Sequence, residues 1–139
     1  MDVLRQMLSV PPREWRTKQV ISFDWHDGPR SGLGHFLVPD FVCYFETLAE
    51  QWSDGSFGDR IYRLRRISDT AMSDVLTLYG LTEVPRSPLW APHGPLSEAQ
   101  EEELERTLDR LLENSTPLSL LVRSRDLLVI TELWLSMQS

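Results

Sequence analysis

The stretch that most restricts this chain is Gln19 to Gly34, QVISFDWHDGPRSGLG. Val20 to His26 alternates with a period of two. Ile21, Phe23 and Trp25 fall on one side, and Val20, Ser22, Asp24 and His26 on the other. β-branched and aromatic residues suit a pleated, half-buried surface, so the segment is expected to be a strand. Asp27-Gly28-Pro29 is expected to end it, because glycine permits a tight turn and proline cannot donate to a ladder. Ser31, Gly32 and Gly34 are expected to keep the chain irregular until Phe36.

A second apolar run, Phe41 to Leu48, has apolar residues in both phases, as a central strand does. Asp54-Gly55 then carries hairpin chemistry, and Arg60 to Ile67 returns with Tyr62 and Leu64 in one phase and Arg63 and Arg65 in the other. These three strands are expected to form an antiparallel meander. Its polar face would hold Ser22, Asp24, His26, Tyr44, Glu46, Arg63 and Arg65, with opposite charges paired across strands.

Ser68-Asp69 is expected to start a helix running to Tyr79, with Met72, Val75, Leu76 and Tyr79 on one stripe and Gly80 as its stop. Residues 81–96 hold four of the nine prolines and Trp90, the pattern of a stiff loop. Ser97 and Gln100 form a capping box for a second helix, whose stripe is Leu104, Leu108, Leu111 and Leu112. Ser97 to Glu113 carries seven acids and two arginines, so its outer face is acidic. Leu118 to Val122 and Leu127 to Leu135 read as strands, the latter equally open to helix. Residues 2–9 suit a short terminal helix ended by Pro11-Pro12. The expected fold is one α+β domain over 1–139, a mainly antiparallel sheet with two helices packed on one face. Its expected core is Ile21, Phe23, Trp25, Phe41, Cys43, Phe45, Tyr62, Leu64, Val75, Leu76, Leu104, Leu108 and Leu111.

Charge narrows the function classes. The chain carries a net −7, and residues 67–139 hold 12 acids against 5 basic residues. Nucleic-acid binders need clustered Lys and Arg for phosphate, so that class is not expected. A basic protein partner is the expectation that acidity favours. One cysteine rules out an internal disulfide and a cysteine-rich zinc site. With no apolar run near the ~20 residues of a membrane helix and no signal-peptide pattern, a cytoplasmic location off the membrane is expected.

Two sets of residues could carry function. Asp24, His26, Asp27 and Arg30 gather at the end of the first strand, where His35 or Glu46 could complete a ligand set. Their spacing matches no metal or cofactor motif, so neither is expected. Gly28, Gly32 and Gly34 around Arg30 could instead cradle an anion, although no helix follows as in phosphate loops. Cys43 lies in phase with Phe41 and Phe45, which points to the core rather than to a nucleophile. The second set is a contact surface: Trp90 with Pro88 and Pro92 in the stiff loop, beside Glu102 and Glu105 on the acidic helix. Lacking an assembled nucleophile, base and orienting group, the chain is read as a non-enzymatic protein-binding module. A small enzyme or ligand binder at the strand end is the alternative.

Asp27-Gly28-Pro29-Arg30-Ser31-Gly32 resembles a diffuse set of small bacterial proteins in which a strand ends in an aromatic-containing DGPxSG turn. The resemblance spans some ten residues. It implies a compact bacterial α+β protein and transfers no catalytic residue. By analogy alone, an acidic bacterial protein of this build is compatible with an immunity-type binder.

Overall fold

In a computed structural model, the described residues are 9–25, 29–53, 56–85, 89–92, 96–115 and 119–124. They form an α+β arrangement. Six strands run β1 Arg16–Trp25, β2 Pro29–Val38, β3 Asp40–Ser53, β4 Ser56–Arg66, β5 Leu89–Trp90 and β6 Ser119–Arg123. Two helices are α1 Ala71–Leu78 and α2 Glu98–Glu113. The strands make one sheet in the order β5-β1-β2-β3-β4-β6. It is antiparallel throughout except for the β1–β5 pair.

The segment after the DGP turn is a strand and not a loop. β2 takes in Pro29, Gly32 and Gly34, and pairs with β1 on one side and β3 on the other. Proline is tolerated as the first residue of a strand, and glycine within one marks a close approach. Here the approach is from β1: a Cβ on Gly32 would lie 2.0 Å from the Ile21 carbonyl oxygen. Gly34 is less crowded, with the Phe36 ring 3.3 Å from where a Cβ would stand. Composition that looks irregular thus makes room for tight pairing.

The register separates two sets of side chains. Val20 aligns with Gly34 and Cys43, in phase with Phe36, Phe41, Phe45, Leu64 and Tyr62. These join Trp15, Leu89 and Val122 in one buried cluster. Trp15 closes it, its ring edge-on to Phe36 at 5.0 Å and to Phe41 at 5.1 Å. The Trp15 indole also donates to the Val10 carbonyl at 2.8 Å. Pro11 to Arg13, just ahead of β1, borders Leu120 to Arg123 of β6 across a groove of about 440 Å³. The segment 10–15 therefore runs over this side of the sheet from β1 toward β6.

The opposite phase holds Ile21, Leu33 and Val42. They are buried in a second cluster with Ala71, Met72, Val75 and Leu76 of α1 and Leu111 of α2. The expected alternation in β1 is thus corrected. Ile21 is buried, but on the side opposite Phe41, Cys43 and Phe45, and Ser22 is buried too. Trp25, expected in the core, is 36% exposed. Irregular pairing beyond Ser22 breaks the alternation before Trp25 is reached. Phe23, Leu104 and Leu108 are partly buried.

The helix ends follow their chemistry. Ser97 and Gln100 make the full capping box on α2. Gly80, at φ 71°, follows α1, where Gly80 N–H donates to Thr77 O and Leu81 N–H to Leu76 O, both at 3.0 Å. This is a Schellman closure. Helix α1 starts at Ala71 rather than at Ser68-Asp69, after a turn in which Thr70 N–H donates to Ser68 Oγ. The β3–β4 hairpin pairs up to Ser53 and Ser56. Its tip, Asp54-Gly55, lies outside the described residues, as do residues 2–8 of the helix expected at 2–9 and the expected strand at 127–135.

Gly32→Ala is expected to cost at least about 3 kcal/mol, because a main-chain oxygen must move to admit the methyl group. Gly80→Ala should cost about 1 kcal/mol, for its positive φ alone. Urea unfolding of both variants checks this. Equal losses would contradict the close approach at Gly32.

Candidate functional site

The strand-end residues meet a larger network. Arg30 Nη1 lies 3.7 Å from Asp24 Oδ2, so these two are brought together. His26 and Asp27 lie outside the described residues. His35 and Glu46 do not converge. Glu46 pairs with Ser31, four residues from His35 along β2, or about 13 Å at strand spacing. His35 Nε2 lies 3.1 Å from Asp40 Oδ1, and Glu46 takes the Arg63 guanidinium, with Arg63 Nε at 2.7 Å. The Glu46–Arg63 pair is the cross-strand pairing of opposite charges expected from the sequence.

Arg30 also faces a second carboxylate. Its Nε is 2.9 Å from Glu50 Oε1, and Arg60 Nε is 3.5 Å from the same oxygen. Both guanidinium groups act on Glu50 by charge, and Arg60 adds a side-chain hydrogen bond. The Trp52 indole donates to the other oxygen, Glu50 Oε2, at 3.1 Å. The Arg60 side chain is 1% exposed and Glu50 is 14% exposed, while Arg30 is 42% exposed. Burial pushes the Glu50 carboxyl up, but the Trp52 hydrogen bond and the Arg60 and Arg30 charges outweigh it and hold the group below its ordinary value.

Neighbouring groups tie the network to the strands. Tyr62 OH donates to Pro29 O at 2.5 Å, and Thr47 Oγ1 donates to Arg30 O at 2.8 Å. Ser124 Oγ donates to Asp59 Oδ1, which also accepts from Arg60 N–H at 2.9 Å. Burial raises the Tyr62 phenol, opposed by Arg60. Cys43 is fully buried, and desolvation pushes its thiol up to about 12. Such a thiol forms almost no thiolate at neutral pH. Among the described residues, no three of His, Cys, Asp and Glu are grouped to hold a metal ion.

Sequence reasoning missed a surface on β3, β4 and β6. Leu48 is 49% exposed, Ile61 37% and Leu121 60%. Leu48 is the extra residue of a bulge opposite Ile61, and Leu121 stands diagonal to Ile61 across β4 and β6. Arg63, Arg65 and Arg123 alternate with them on the same phase. A dent of about 120 Å³ opens between Ala49, Ile61 and Arg123, bordered by Glu50 and Arg60. The available signal was Ile61 itself, an apolar residue in the polar phase of Arg63 and Arg65.

Of the expected contact residues, Trp90 packs against the same cluster as Leu104 and Leu108 of α2. Trp90 sits in β5 beside Ile21, half-buried, with its ring edge-on to Tyr79 at 5.1 Å. Pro92 is half-buried, Pro88 lies outside the described residues, and Glu102 and Glu105 are exposed on α2. Among the described residues, no helix is long and apolar enough to cross a membrane. No family model, curated protein or solved structure gives a significant match to the chain.

Two outcomes follow from this chemistry. A carboxyl held below its ordinary 4.5 stabilises the fold fully above that pH, and the contribution is lost as pH falls through the lower folded value. Glu50→Gln should therefore cost about 1–2 kcal/mol at pH 7, because Arg60 is buried while Arg30 is partly hydrated and its pair is screened by water. The variant should also lose less stability than the wild type on acidification below pH 4.5. Denaturant unfolding across pH checks both; parallel pH curves would contradict the assignment. Cys43 should resist a thiol reagent in the native protein and react on unfolding, and fast native labelling would contradict its burial.

Proposed function

We propose that this protein is a non-enzymatic protein-binding module. The observation that carries the reading is the group of Leu48, Ile61 and Leu121, large apolar side chains exposed together on neighbouring strands. Scattered exposed apolar residues are ordinary, whereas a group bordered by charge is the pattern of a contact surface. The adjoining dent, about 120 Å³, supports the same reading. Small-molecule sites usually measure about 300–1,000 Å³, so the dent suits one side chain of a partner better than a substrate.

Exposed acids on α2, Glu102 and Glu105 among them, favour a partner with a basic surface. Trp90 contributes less than the sequence suggests, since its ring is packed on Tyr79. The alternative, a small enzyme or ligand binder at Asp24 and Arg30, draws support from their proximity. Against it, Arg30 already faces two carboxylates and Glu50 is held ionised between cations, which suits neither an anion cradle nor a proton-transfer group.

A pull-down from native lysate with quantitative mass spectrometry tests the reading. Ile61→Asp and Leu121→Asp should each lose the retained partner, as removing a contact worth about 2 kcal/mol lowers affinity roughly thirtyfold. Their melting temperatures should stay near the wild type. Trp90→Ala should lower the melting temperature and keep the partner. Variants at Ile61 and Leu121 that retain every wild-type partner would contradict the proposal.

A further inference from the structure

The exposed patch has an uneven charge, and so does its neighbour. Arg63, Arg65 and Arg123 stand against Glu46 and Asp59, leaving the patch at +1. Helix α2 carries seven acids and two arginines, a net −5. Both regions reach the same buried cluster. Tyr44 on β3 pairs with Arg65, and it packs, as Leu104 and Leu108 of α2 do, against the cluster that contains Leu111. One side of the molecule therefore has a cationic, apolar half and an anionic helical half.

We infer that the partner fitting this side is a second copy of the chain, related by a two-fold axis between the two halves. The inference rests on the protein-binding reading above and names its partner. A two-fold axis there brings each acidic α2 onto the arginine-bearing patch of the other copy. Both contacts are then attractive, and the interface is self-complementary, as closed dimers require. Patch against patch would oppose arginines with arginines, and helix against helix would oppose acids with acids. The basic surface that α2 favours is thus present on the same protein. Leu48, Ile61 and Leu121 would lose their exposure to water in the assembly, and the charges would steer and orient the approach.

Sedimentation equilibrium of the full chain over about 1–500 μM, a range bracketing micromolar affinity, tests the inference. The wild type should dimerise, and dissociate as salt rises, because the steering charges are screened. Arg65→Glu with Arg123→Glu makes both halves acidic. Glu102→Arg with Glu105→Arg makes the helix nearly neutral beside a cationic patch. Each double variant alone should associate at least about tenfold more weakly, and an equimolar mixture of the two should recover dimers. Recovery in the mixture is the outcome that separates a reciprocal helix–patch contact from general loss of fold. Circular dichroism melts of each double variant establish that both remain folded. A wild type that stays monomeric throughout overturns the second-copy inference, and the pull-down then decides the binding-module reading separately. A dimer unaffected by either pair of reversals, or a mixture that stays monomeric, also overturns it.

Discussion

The Glu50 carboxylate lies between two guanidinium groups, Arg30 on β2 and Arg60 on β4. Two cations this close repel unless an anion stands between them, and each pair at this range is worth about 4 kcal/mol at an effective dielectric constant near 20. Arg60 is almost wholly buried, so water cannot replace Glu50 as its partner. Side chains from three adjacent strands are thereby fixed at one end of the sheet. Tyr62 and Thr47 extend the fixation by bonding main-chain oxygens of β2, and Ser124 extends it beyond β6 through Asp59.

That polar end has an apolar counterpart. Trp15, Phe36 and Phe41 pack edge and face at the β2–β3 turn. Between the two ends, Val20, Cys43, Phe45 and Leu64 are excluded from water. On the other phase of the sheet Ile21, Leu33 and Val42 share a buried cluster with residues of α1 and Leu111 of α2, whereas Ile61 and Leu121 farther along stay exposed. The proposed binding role grows from this unequal cover. A sheet buried on one side and partly bare on the other presents a firm surface, held by the ion-pair network behind it.

Much of this was legible in local chemistry. The capping box of Ser97 and Gln100, the Gly80 stop and the two-sided burial of Phe41, Val42 and Cys43 each depend on residues close in sequence. Strand β2 was hidden because Pro29, Gly32 and Gly34 carry the same signal in a turn and in a tightly approached strand. Only the position of the Ile21 carbonyl separates the two cases. The phase of β1 misled for a related reason: Val20 and Ile21 are both buried, so alternation could not say which side faced which cluster. The Arg30–Glu50–Arg60 site joins residues up to thirty positions apart, and no local spacing announces it. Leu121 likewise looked like any strand residue until its neighbours across the ladder were known.

A double-mutant cycle on Glu50→Gln and Arg60→Met, read by guanidinium unfolding at neutral pH, tests the central interaction most directly. If Glu50 holds the buried Arg60 in place, the two losses should fall short of additivity by about 2 kcal/mol, as expected for residues in one buried network. Losses that add to within about 0.5 kcal/mol would mean the two side chains act independently, and the sheet end would need another explanation.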